Sequence, residues 1–306
     1  MFKHLFWSCV YKPMQRREAL KGIVTLSISL PMTSLHDLKN WVSSKESSDK
    51  MPVLFVGHGN PMNVLWDNAF TRHLSALGQR LEAPKAVLVI SAHWLSRGTH
   101  VATNPAPPTI HDFGGFPSEM YEIQYPAPGA PDLAMEIAQR VHFTEVHTDE
   151  EMGLDHGAWT VLRWMYPEAN IPVFQMSIDA TQGPTYHYAL AKDLAFLRKR
   201  GVMILGSGNI VHNLRILDWQ NPEATPFDWA KEFDEKVKTQ ILNGDHQPLI
   251  DYLQWGTLAK TAVPTNDHYL PMLYTLGLKE KSDEVSFTYE GFHHGSISMR
   301  CIQLSS

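Results

Sequence analysis

Three short apolar runs in this chain each lead into a turn that carries a histidine. Pro52 to Val56 is nearly continuous in apolar residues and breaks at Gly57, so that His58 stands between Gly57 and Gly59. Ala86 to Ala92 delivers His93 and then Trp94, and Gly201 to Gly208 is followed, after Asn209-Ile-Val, by His212 and Asn213. A single histidine behind a strand is usually satisfied by local hydrogen bonds. The repetition at equivalent strand ends points instead to one shared site, used for metal binding or catalysis, since imidazole is the commonest protein metal ligand and carries protons near neutral pH. In open α/β sheets, ligands bind at the carboxyl ends of the strands.

Other segments add chemistry. In Gly153 to Trp159, His156 follows Asp155 just ahead of an apolar helix reaching Tyr166. The position suits an acid/base or substrate-binding histidine, with Asp155 as a helix cap in the plainer reading. From Asn104 to Gly129 the chain is a long loop dense in Pro and Gly, and loops of this length in compact domains are usually functional. Its His111, Asp112, Phe113 and Phe116 suit a wall for a flat aromatic ligand, or a rigid cover over the sheet edge. His268 is expected in the first turn of a helix beginning at Asn266, and His73 reads as a surface or packing residue.

The elements that must position these groups follow from hydrophobic periodicity. The runs at 52–56, 86–92, 171–178 and 201–208 have the composition of strands covered on both faces. Helical spacing runs from Asn63 to about Leu81, from Pro131 to Phe143, from Tyr186 to Arg200, from Pro226 to about Leu242 and near Leu249 to Trp255. Two closing strands are expected around Val285–Tyr289 and Ser296–Leu304. The alternation predicts a single α/β domain over residues 51–306, with a mainly parallel central sheet, helices on both faces and the site at the C-terminal ends of the strands. Of 306 residues, 43% are hydrophobic, including nine Trp and thirteen Phe, which is enough for a large core. A formal charge of −6 with no basic block argues against a nucleic-acid partner or an anionic membrane surface. Cys9 and Cys301 have no motif spacing, which argues against a disulfide framework or a cysteine-based zinc site.

Residues 1–50 read differently. Arg16 and Arg17, Leu20-Lys21 and the mildly apolar Gly22 to Leu30 resemble a twin-arginine export signal over residues 14–32, which would make the protein periplasmic. An amphipathic helix with a polar linker, Ser43 to Lys50, fits equally; the expected location is the cytoplasm, with the periplasm as the alternative. The apolar stretch is too short for a membrane anchor.

Six motifs, in order, carry a family likeness: Gly57-His58-Gly59 with Pro61-Met62-Asn63, Ser91-Ala92-His93-Trp94, Pro108 to Pro117, Asp155-His156-Gly157, Ser207 to Asn213, and His268-Tyr269-Leu270-Pro271. Together they resemble the 4,5-DOPA extradiol dioxygenases of the class III, LigB-type ring-cleaving enzymes. The resemblance covers Met51 to the C-terminus. It implies one divalent metal, Zn(2+) or Fe(2+), held by His58, His93 and His268 with His212 as a fourth ligand or as an acid/base, and His156 as a residue that binds or deprotonates substrate. The activity implied is opening of a catechol, DOPA-like ring with O2 to a muconic semialdehyde. His156 and His212 would be catalytic, and Phe113, Phe116 and Trp94 would form flat walls around a small aromatic diol. His268 stands where distant relatives have an acidic residue, so an all-histidine site would keep the full +2 charge of its ion. Two other readings keep the fold: a zinc hydrolase with Asp112 or Asp155 as base, or a metal- or ligand-binding protein without catalysis.

Overall fold

The parallel strands at the centre are buried on both sides because their residues alternate between two separate hydrophobic layers. The structure, a computed structural model, describes residues 50–306. The export-signal reading of residues 14–32 therefore lies outside the described residues. The strands are β1 (Val53–Gly57), β2 (Ala86–Ser96), β3 (Thr99–Ala102), β4 (Val146–Asp149), β5 (Val173–Asp179), β6 (Val202–Gly208), β7 (Glu284–Tyr289), β8 (Phe292–His293), β9 (Ile297–Ser298) and β10 (Cys301–Ser305). The main sheet runs β4-β3-β5-β2-β6-β1-β10-β7, and β8 pairs with β9 apart from it. Its four central strands, β5-β2-β6-β1, are mutually parallel. Antiparallel pairing enters only at the flanks, between β3 and β5 and from β1 outward through β10 to β7.

On one face Val53, Phe55, Leu88, Ile90, Phe174 and Ile204 join helices α3 (Pro131–Arg140), α5 (Pro184–Asp193), α7 (Asp228–Asn243) and α10 (Leu270–Gly277). On the other, Leu54, Val56, Val87, Val89 and Leu205 meet α1 (Ala69–Arg80) and α4 (His156–Met165). Short helices α2 (Glu119–Glu122), α6 (Phe196–Lys199), α8 (Gln247–Ile250) and α9 (Thr257–Ala262) complete the chain. This is the expected α/β architecture. Among the described residues no helix is long and apolar enough to cross a membrane.

Three local expectations change. The helix expected from Asn63 begins at Ala69, because Asn60 and Pro61 start a separate 3-10 turn and Asn68 forms a reciprocal capping box with Thr71. His268 precedes its helix, which starts at Leu270 with Pro271 in its first turn, where a missing N–H costs nothing. The expected strand 296–304 is broken, since β9 turns to β8 while β10 joins the main sheet.

Register sets the site. Val56 pairs with Ser207, which pairs in turn with Ser91, so these three residues stand level across adjacent strands. His58 and His93 each lie two residues beyond that line, at the same sheet edge. The His58 N–H donates to the Gly208 carbonyl at 3.0 Å, and the Asn209 N–H donates to the His268 carbonyl at 2.9 Å, tying the His268 turn to the end of β6. Gly208 is needed there, because an added Cβ would overlap the His268 carbonyl oxygen. Gly208→Ala is expected to lower stability by about 1–3 kcal/mol through overpacking, read as a reduced urea midpoint. An unchanged midpoint would mean that the His268 turn is not held against this strand.

Candidate metal centre

His58, His93 and His268 each offer a ring nitrogen, and the three nitrogens lie within 4.8 Å of one another. The Nε2 atoms of His58 and His93 are 3.1 Å apart. Which nitrogen faces inward follows from what the other one does. The Ser207 hydroxyl donates to the Gly157 carbonyl at 2.6 Å, so its oxygen accepts from His58 Nδ1–H at 3.0 Å. His268 Nδ1–H donates to the Asp267 carboxylate. His93 Nδ1 faces Asp112 Oδ2 at 3.6 Å. His58 and His268 therefore keep an unprotonated Nε2, and a cation among the three rings would let His93, whose Nε2 lies 3.1 Å from that of His58, offer its lone pair as well. Carboxylate or hydroxyl partners on the outer nitrogen are what orient metal-binding histidines.

Electrostatics keep these rings uncharged. Burial, reinforced by the neighbouring imidazoles, pushes His58 and His268 well below the usual histidine range. Burial and His156 take His93 down to about 3. Neutral imidazoles with no thiolate suit a divalent ion such as Zn or Fe. Two further groupings, His93-Asp112-His156 and His212-Asp267-His268, overlap this one. Their carboxylates are already engaged by His156 and His268, which leaves the all-histidine trio as the better cradle.

His156 is built differently. Asp155 caps α4, accepting from the Ala158 N–H at 3.1 Å, so the plainer reading of Asp155 holds. Burial raises the Asp155 carboxyl to about 6. His156, the first residue of the helix, is gripped by both oxygens of Asp112: its N–H donates to Oδ1 at 2.8 Å and its Nδ1–H to Oδ2 at 3.0 Å. Burial disfavours charge on Asp112, but the hydrogen bonds from His156 outweigh it and lower its pKa. The His156 ring lies 3.8 Å from that of His93 and keeps Nε2 free. His212 does not join the trio. It stacks on His268 with ring centroids 3.5 Å apart and planes 9° from parallel, and burial lowers it to about 4.

All five of these histidines line one cavity of about 440 Å³. Several residues expected at its wall lie elsewhere. Trp94 is buried outside the lining, since successive strand residues face opposite ways and His93 takes the cavity side. Phe113 packs behind, against Phe116, His156 and Trp159. His111 fastens the loop to the Ile123 carbonyl at 2.9 Å, and Asp112 holds His156 rather than facing a ligand. Phe116 does line the cavity, together with Gly114 and Gly115. The sequence reading missed Ser207, which stands inside a quoted motif, and Asp267, which directly precedes one. It also missed Asn60, Leu214, Leu217, Trp219, His294 and Ile297, which complete the wall. No periodic signal marks those six: Leu214, Leu217 and Trp219 share one connection, Ile297 lies in β9, and Asn60 and His294 come from two other turns.

Residues 51–299 match the family described as the catalytic LigB subunit of aromatic ring-opening dioxygenase. The chain belongs to the LigB family. Its likeness to this family, read first from six motifs, thus extends over nearly the whole described region. It is 46% identical over 264 residues to a protein of Escherichia coli K12 named 4,5-DOPA dioxygenase extradiol, covering 84% of this chain and 96% of that one. It is 34% identical over 260 residues to a Beta vulgaris protein of the same name, covering 83% and 96%. The crystal structure of an uncharacterized Escherichia coli K12 protein superposes with a TM-score of 0.73 at 40% identity, covering 84% of this chain and all of that one. LigB enzymes depend on a metal, and the trio supplies a group able to hold one.

Removing the carboxylate behind His268, as in Asp267→Ala, is expected to weaken metal binding about 10- to 100-fold, measured by competition with a chelator. The metal-free protein also carries a pH signature. Unfolded histidines titrate near 6.5, whereas His212 and His93 stay neutral in the folded chain down to about 4 and about 3. Below pH 6.5 the unfolded state therefore binds more protons, and stability falls as the pH drops through that window. Urea midpoints should decline from pH 7 to pH 5, less steeply in His212→Gln; a flat profile would contradict the neutral-imidazole assignment.

Proposed function

We propose that this LigB member is an extradiol dioxygenase that opens a catechol ring with O2 to a muconic semialdehyde, with residues 51–306 as its catalytic domain. One observation carries the reading: a cradle of three clustered imidazole nitrogens shares a cavity with a fourth imidazole, His156, that is backed by its own carboxylate and left with a free nitrogen. His58, His93 and His268 would hold Fe(II). Bound there, the ion would supply Lewis acidity toward the substrate hydroxyls and electron exchange with O2; zinc would supply the first but, being redox-inert, not the second.

The protein's own groups do the rest. His156 accepts a phenolic proton at Nε2, while Asp112 fixes the tautomer and stabilises the imidazolium that forms, as a buried carboxylate does for a catalytic histidine elsewhere. His212, held neutral beside His268, is the second proton-carrying group in this proposal and not a fourth ligand. Phe116 offers the substrate an aromatic wall, and the apolar rim limits water around the ring. In the net reaction the carbon–carbon bond beside a hydroxyl-bearing carbon breaks, and both atoms of O2 enter the product. A zinc hydrolase would need a free carboxylate base. Asp112 is committed to His156, and Asp155, which accepts from Ser91 and caps α4 through Oδ1, does not line the cavity, which favours the dioxygenase.

After anaerobic loading with Fe(II), a catechol should drive oxygen uptake matched by a yellow semialdehyde product. His156→Ala should cut this turnover by about 10²- to 10⁴-fold with metal content unchanged. Full turnover in that variant would remove His156 from the mechanism, and absence of oxygen uptake in the Fe(II)-loaded parent would reject the ring-opening reading.

A further inference from the structure

The cavity lining falls into two sets. Five imidazoles gather at the metal centre, and Phe116, Leu214, Leu217, Trp219 and Ile297 supply an apolar wall. Among the described residues, none of those lining it is Asp, Glu, Lys or Arg. Two further polar lining residues, His294 and Asn60, satisfy one another. His294 donates from Nδ1 to the Asp218 carbonyl at 2.8 Å, and its Nε2 accepts from Asn60 Nδ2, whose own Oδ1 accepts from the Met62 N–H. His294 adopts a left-handed backbone (φ 54°) and lies between the rings of Trp66 and Trp219, with centroids 6.5 Å and 6.1 Å away. A non-glycine backbone held in the left-handed region is a sign of a locally constrained wall.

The rim is also more apolar than an ordinary surface loop. Leu214, Ile216 and Trp219 fall within six residues and are 49%, 45% and 61% exposed. Clustered exposed apolar side chains beside a cavity mark a binding surface. The cavity volume of about 440 Å³ lies in the range that accommodates a ligand larger than one ring.

We infer that the wall formed by Leu214, Leu217, Trp219, Ile297 and Phe116 is a subsite for an uncharged apolar substituent, so that the preferred substrates are catechols bearing an alkyl or aryl group rather than an amino-acid or carboxylate tail. This rests on the ring-opening reading and specifies its substrate class. The physical reason is that a carboxylate or ammonium brought against this wall would lose water and gain no counter-charge, whereas hydrocarbon loses only unfavourable hydration. The relatives named for DOPA act on a catechol whose tail carries both charges, so the inference separates this chain's preference from the substrate in their name.

The test is binding to the Zn(II)-loaded protein under argon, where no turnover intervenes. Dissociation constants would be measured by calorimetry for catechol, 4-methyl-, 4-ethyl- and 4-propylcatechol, and for 3-(3,4-dihydroxyphenyl)propanoate. Affinity should rise roughly three- to fourfold per added methylene, and the propanoate should bind about tenfold or more weakly than 4-propylcatechol. In Trp219→Ala and Leu214→Ser, both at exposed positions, the ratio of affinities between 4-propylcatechol and catechol should shrink. The inference is overturned if the propanoate binds as tightly as 4-propylcatechol, or if the chain-length gradient survives both substitutions. Failure of every catechol to bind would instead reject the ring-opening reading, and the substrate class with it.

Discussion

Holding several imidazoles together in a buried space, all neutral and all turned the same way, is the constraint on which the site depends. Two such rings with facing lone pairs repel, and a proton between them would destroy the ligand set. The chain meets the constraint by giving each outer nitrogen something definite to face: the Ser207 hydroxyl for His58, the Asp267 carboxylate for His268 and the edge of Asp112 for His93. Burial then removes the alternative protonation state by lowering the pKa values. The same device with a different balance gives His156, whose carboxylate is close, doubly bonded and suited to stabilising a positive ring.

This arrangement is possible because three parallel strands are held in register, with β1 and β6 ending one residue beyond a shared row and β2 carrying His93 past it. The pairings Val56–Ser207 and Ser91–Ser207 put the residues beneath the ligands in one row, and one of them, Ser207, is itself the anchor for His58. A slip of one residue in a strand would send its histidine to the other face of the sheet. Burial of these strands on both faces makes such a slip costly, so the two hydrophobic layers stabilise the geometry of the centre as well as the fold.

Much of this was legible in the sequence because strand signals and histidines coincide. Apolar runs that recur are informative, and they gave the sheet as mainly parallel; His58 directly follows β1, whereas His93 lies inside β2, which runs on to Ser96, and His212 lies four residues beyond β6. What could not be read was direction. Trp94 follows His93 immediately and therefore points the other way, and Phe113 turned inward behind Phe116 in a loop with no period to reveal it. His212 was read as a fourth ligand or an acid/base; its ring stacks on His268, a relation between distant segments that no local pattern encodes. The apolar wall is the extreme case. Asn60, Leu214, Trp219 and His294 come from turns and Ile297 from the short β9, and exposed leucine or tryptophan in a turn carries no marker until the fold is known.

The two sets of lining residues draw on different parts of the chain. Metal-facing histidines sit at strand ends or in turns bonded to them, and moving one disturbs the core. Leu214 to Trp219 belong to a connection outside the sheet, with side chains half in water. The loop carrying Phe116 is less independent, because Asp112, four residues earlier, orients His156. Natural variation therefore has one nearly free dial and one coupled dial: drift in the 214–219 connection can retune which rings are accepted while the reactive centre stays intact, whereas drift around Phe116 alters selectivity and proton transfer together. Divergence among relatives with the same chemistry should accumulate first in the former.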